Sequence, residues 1–226
     1  MSEPVHITVV GTSEIHHPAE RATLKVAVAA QGPHREAAFE PAARAHAQLA
    51  EALRAMAAAD PAPITWWSAG RLQTSARRPW NKDGKVMPPV FTTSTELDAK
   101  FQDFSALAEW AGHIAVADLV SIRGITWSLT ERTRDELRAR VQRDAVESAR
   151  RKAEAYAAAL GLGRVVPLAI ADPGLLEAGM ESRFEQPAAG MRLAAASAPA
   201  DTGLSFAPED LTLEATVHAR FAASPA

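Results

Sequence analysis

The chain has 226 residues, 47% of them apolar, a length at the upper end of what one hydrophobic core serves and enough to bury most of the unfolded surface. Its net charge is -3, from 24 Lys and Arg against 27 Asp and Glu. That balance gives no general attraction to phosphate backbones or anionic lipid, so nucleic-acid binding would need a local patch. The absence of cysteine removes disulfides, thiolate nucleophiles and the common structural zinc sites together.

The N-terminus has no basic stretch leading into a long apolar run, and no segment approaches the ~18 apolar residues of a membrane span. A cytoplasmic chain with neither signal peptide nor transmembrane segment is expected. Residues 7–10 are short and β-branched and are closed by Gly11, which predicts a strand followed by a turn or bend. Residues 21–29 alternate Ala22, Leu24, Val26 and Val28 with more polar neighbours, a second strand. After Gly32 and Pro33, residues 36–59 carry Phe39, Ala42, Leu49, Leu53 and Met56 at the spacings of one helical face. Pro41 is expected in the first turn of that helix or at a kink.

Residues 64–78 and 90–101 are rich in Thr, Trp, Leu and Phe and read as the arms of a long hairpin, with the turn-forming residues 79–89 as an exposed tip. A short helix over 103–114 with Leu107 and Trp110 follows, then a strand over 120–129 with Ile122, Ile125 and Trp127. Residues 130–160 are strongly helical: Leu137, Val141, Ala145, Ala149, Ala153, Tyr156 and Leu160 form an apolar stripe, and Gly161 is placed as a C-terminal cap. A strand over 165–171, an Ala-, Pro- and Gly-rich loop over 174–208 and a closing strand over 211–221 complete the chain. The order ββαββαβαββ favours hairpins over repeated crossovers, which predicts an α+β fold with a mixed or antiparallel sheet and long helices packed on it. A single domain over residues 4–222 is expected.

Three stretches carry a family resemblance. The first strand ends as Ile7-Thr-Val-Val-Gly11; Pro18-Ala-Glu-Arg-Ala22 then leads into the second strand; and an Ala-rich helix stops at Leu160-Gly-Leu-Gly163 before the next strand, with Met191-Arg192 in the variable loop beyond. With these features the chain resembles the SIMPL domain family over nearly its whole length. The resemblance implies an α+β fold and attaches no catalytic residue set. It also implies homo-oligomers, which some members form as rings or channels, and a link to stress tolerance or signalling.

The residues offer little independent chemistry. The seven histidines fall in no spacing that would place two ligands on one helical face. The best metal fragment is Glu14, His16 and Glu20, in which Glu14 and His16 would share one face of an extended segment, although a solvated edge is the plainer reading. No nucleophile elbow or phosphate-binding loop is present, and Gly161 and Gly163 follow a helix instead of preceding one. Arg77, Arg78, Trp80, Lys82 and Lys85 gather at the hairpin tip, where cations around an aromatic could meet a nucleic acid but fit better as an arm gripping a neighbouring subunit. Along the long helix, Glu136 to Arg140 and Glu147 to Arg151 are expected to pair.

The reading is therefore a non-enzymatic SIMPL-like domain that works by homo-oligomeric assembly or macromolecular binding. It needs no cofactor, leaves a protein partner open and disfavours nucleic acid. The alternatives are a small-molecule-binding module with a pocket between sheet and helices, and an enzyme of unrecognised type.

Overall fold

The computed structural model describes residues 3–80, 86–176 and 208–225. They form an α+β fold of antiparallel sheets and helices: β1 (Val5–Pro18), β2 (Arg21–Gly32), α1 (Arg35–Ala58), β3 (Ile64–Ala69), β4 (Gln73–Arg77), β5 (Val90–Phe101), α2 (Phe104–Ala115), β6 (Val120–Ser128), α3 (Glu131–Ala159), β7 (Leu162–Ala171) and β8 (Asp210–Pro225). Most of the loop expected over 174–208 lies outside the described residues. Contacts divide the chain into two compact units, one holding β1, α3, β7 and β8 and the other the elements from β2 to β6.

In the first unit, β8 is the centre of the sheet β1-β8-β7 and pairs with β1 from Val5↔Ala223 to Pro18↔Asp210. One face of this sheet presents Ile7, Val9, Val217, Ala219 and Phe221 to Ala145, Ala149, Ala153 and Ala157 of α3. Because the helix contributes alanines, its backbone comes close to the strands. The approach is tight at Gly11, where an added Cβ would stand 2.1 Å from the Ala145 carbonyl oxygen and 2.6 Å from the Ala149 nitrogen. Gly11 therefore does not end the first strand, as the sequence suggested: β1 runs on to Pro18, and the glycine makes room for a helix backbone.

Thr130 caps α3, its hydroxyl accepting the Thr133 N–H at 3.2 Å. At the other end Gly161 adopts φ +67 and its N–H reaches the Ala158 carbonyl at 3.1 Å, the expected glycine stop. The buried line follows a strict four-residue ridge, from Val141 through Ala153 to Ala157. Tyr156 and Leu160, expected in the stripe, fall off that ridge and are 52% and 64% exposed.

In the second unit, β5 pairs with β2 on one side and with β3 and then β4 on the other, while β6 adds to β2. Leu24, Val26 and Val28 of β2, Leu97 and Phe101 of β5 and Leu53 of α1 are fully buried. Asp103 caps α2 by accepting the N–H groups of Ser105 and Ala106 at 2.8 and 3.1 Å, and Trp110 of that helix packs 5.8 Å from Phe101. Trp127 is buried edge-on against Phe104 at 5.1 Å.

The strand expected over 64–78 is two strands. Between Ala69↔Leu97 and Gln73↔Ser94 the outer chain has one residue more than β5, which is a bulge. Gly70 holds it in place: its N–H reaches the Glu96 carbonyl at 2.8 Å and its own carbonyl accepts the Thr95 hydroxyl at 2.9 Å. On α1 the buried face is Ala38, Ala42, Leu49 and Leu53, so Phe39, expected in the core, is one position off it and 43% exposed. Pro41 lies well past the first turn. Of the adjacent tryptophans, Trp67 is half-buried while Trp66 points to the open face and is exposed.

Candidate functional site

The hairpin arms expected from the sequence are present as β3 and β4 against β5. β4 ends at Arg77, which sits opposite Val90; Arg78 and Trp80 follow it and are exposed, Trp80 by 79%. Lys82 and Lys85 lie outside the described residues. The part of the tip in view is thus an open tryptophan beside two exposed guanidinium groups.

Glu14 and His16 share the outward face of β1, as their spacing required. The His16 Nε2 donates to Glu14 Oε1 at 3.0 Å and its Nδ1 lies 3.0 Å from the Thr212 hydroxyl. Both ring nitrogens of His16 thus have a neighbour within hydrogen-bond reach. Glu20 belongs to the other unit, and the carboxylate facing Glu14 across the ladder is Glu214, which sequence spacing could not reveal. Among the described residues no three His, Asp or Glu side chains gather closely enough to hold a metal ion, and no helix is long and apolar enough to cross a membrane.

Three groups on the exposed side of α3 are shifted from their ordinary titration ranges. Arg150 donates to both Glu147 oxygens at 3.2 and 2.7 Å and to Glu154 at 2.7 Å. Its hydrogen bond holds the Glu147 carboxyl below the usual carboxylate range, and the same bond raises the Arg150 guanidinium. Arg132 is raised by its hydrogen bond to Glu136. The pairing differs in detail from the expected one: Glu136 takes Arg132, Glu147 takes Arg150, and Arg140 faces Asp144 at 3.8 Å. These are mutually neutralising surface pairs.

The first unit also contains a half-open groove of about 460 Å³ between α3 and β7. Val165 and Phe221 form its buried floor, and Val146, Leu168 and Ile170 form partly exposed walls. Three charged side chains line it: Arg150, Glu154 and Arg164. Arg150 and Glu154 are bonded to each other, and Arg164 has no partner among the described residues.

A family model described as SIMPL, a protein of unknown function (DUF541), matches residues 7–221. The chain belongs to the SIMPL family. The match starts in β1 and ends in β8, so it takes in both compact units of this SIMPL chain. A search of curated proteins finds no match.

A pocket between sheet and helices was among the alternatives open from the sequence of this SIMPL chain, but its place between α3 and β7 was not. A signal was present: residues 165–170 run Val-Val-Pro-Leu-Ala-Ile without a polar break, a pattern for a strand buried on both faces. Here it occurs on a sheet edge, which leaves apolar side chains in the open.

Proposed function

We infer that this SIMPL chain is a non-enzymatic binding module that works by assembling with further copies of itself, or by holding another macromolecule, through the hairpin around Trp80. The observation that carries the reading is Trp80 itself: a large aromatic, 79% exposed, three residues past the end of the edge strand β4 and preceded by Arg77 and Arg78. Tryptophan and arginine are the residues most enriched at the energetic centres of interfaces, and an open edge strand leaves amides that association covers. Support for the non-enzymatic part of this reading comes from Arg132, Glu147 and Arg150, whose shifts arise in exposed ion pairs on a helix and not in a converging set in a cleft.

Light scattering coupled to size exclusion tests the reading. The wild type is expected to elute as a closed assembly heavier than the 24.1 kDa chain. Trp80→Ala should weaken association by about 2 kcal/mol or more if the tip is central and by well under about 1 if it is peripheral. A wild type that stays monomeric at every concentration rejects self-assembly, and an assembly indifferent to the mutation rejects the part given to the hairpin.

A further inference from the structure

Assembly through the hairpin gives no role to the groove between α3 and β7. Its residues lie within the first unit, and its construction narrows what can fill it. The floor is apolar and buried, with Val165 and Phe221 beneath and Ala219 beside them. The walls are apolar and in contact with water, Ile170 being 56% exposed. Contiguous apolar surface held open in a concave site marks a binding place.

An added β-strand is the first occupant to weigh, since β7 is a sheet edge. Two features guard against it. Pro167 offers no N–H to a ladder, and the register slips between Pro167 and Ala169, so that Leu168 forms a bulge. Edge strands carrying proline and a bulge resist pairing with another chain. The bulge also brings Leu168 to the groove wall, where it enlarges the apolar lining. The groove is therefore closed to a strand while remaining open to a smaller apolar body, and about 460 Å³ falls within the range of small-molecule sites.

The charges give the occupant a sign. Arg150 is held by Glu147 and Glu154 together, so it and Glu154 are already satisfied. Arg164, itself exposed and just before Val165, is the one lining charge with no partner among the described residues. A guanidinium at the lip of an apolar groove suits a carboxylate, which it can bind through two parallel hydrogen bonds.

We propose that the α3–β7 groove of this chain binds a small apolar carboxylate, its tail lying on Phe221, Ile170 and Leu168 and its carboxylate held by Arg164. Isothermal titration of the full chain with decanoate, kept below its micelle-forming concentration, and with decanol, which has the same tail and no charge, tests both halves of the assignment. Decanoate should bind at one site, and decanol about tenfold or more weaker, a tenfold ratio corresponding to about 1.4 kcal/mol. Arg164→Gln should lower decanoate affinity to that of decanol. Ile170→Asp should abolish binding of both; because Ile170 is largely exposed the variant is expected to fold, and Leu168→Asp, on the same wall, gives an independent second reading. Unfolding midpoints close to wild type qualify each variant for comparison. The proposal is overturned if decanoate does not bind the wild type, if binding survives both wall substitutions, or if decanoate and decanol bind the wild type equally. Oligomeric state decides the hairpin reading separately, so either can fail alone.

Discussion

Gly11 and Glu147 illustrate two different ways in which a single residue matters to this chain. At Gly11 the volume of a side chain is already occupied by the α3 backbone, so Gly11→Ala must push helix and strand apart or distort one of them. Overpacking of this kind costs about 1–3 kcal/mol, and because the obstacle is backbone and cannot swing aside, a value near the top of that range is expected. Urea unfolding of wild type and variant measures it, and a change below about 0.5 kcal/mol would mean that the two elements can separate freely. At Glu147 the effect is electrostatic and small. Its carboxyl is held below its ordinary value of 4.5, first by the Arg150 hydrogen bond. A carboxylate depressed in the folded state stabilises the fold above its unfolded value and loses that contribution as pH falls through the folded one. Both partners are exposed, so the gain is modest and screened by salt. Arg150→Met should therefore make unfolding free energy decline less steeply on acidification from neutral to below about pH 4, with the difference shrinking in high salt; an unchanged acid limb would remove the pair from the stability of the protein.

At the scale of elements, α1 gives a direct contrast. Leu53 is fully buried against the second unit's sheet, whereas Phe39, the larger side chain, is 43% exposed. Leu53→Ala should cost about 2–5 kcal/mol, and Phe39→Ala should stay within about 1 kcal/mol; thermal and urea unfolding of both variants give the comparison. A destabilisation at Phe39 equal to that at Leu53 would mean that hydrophobic size and not burial governs this helix. Periodicity alone located α1, α2 and α3 to within a residue or two, together with the Thr130 and Gly161 ends of α3, because a cap and an apolar stripe are local features. It could not decide Phe39 against Ala38, because that choice depends on how the helix is rotated on its sheet. It also misread Gly11, since a glycine that ends a strand and one that admits a crossing helix look the same until the helix is in place. The cross-strand partner of Glu14 was hidden for a related reason: Glu214 lies at the far end of the sequence, and only pairing of β1 with β8 brings them together. The groove depended on β7 being an edge strand, which is a property of sheet order and not of the strand's own residues.

For the whole molecule, the strand pairings fix an order of events. β2, β5 and β6 of the second unit lie within a continuous stretch from Ala19 to Ser128, whereas the sheet of the first unit joins the first strand to the last. Contacts between distant parts of a sequence form late, because chain closure must precede the interactions that reward it. Pulse-labelled hydrogen exchange during refolding should show β2 and β5 amides protected before those of β1 and β8; simultaneous protection of both sheets would contradict this. On a ribosome the same pairing becomes a delay. Nearly all the rest of the chain must be made after β1 before β8 exists, and at roughly 5–20 residues per second that leaves β1 without its partner for about 10–40 s. Throughout that interval Ile7 and Val9 have no sheet to join, so β1 is the strand left longest to chaperones and proteases.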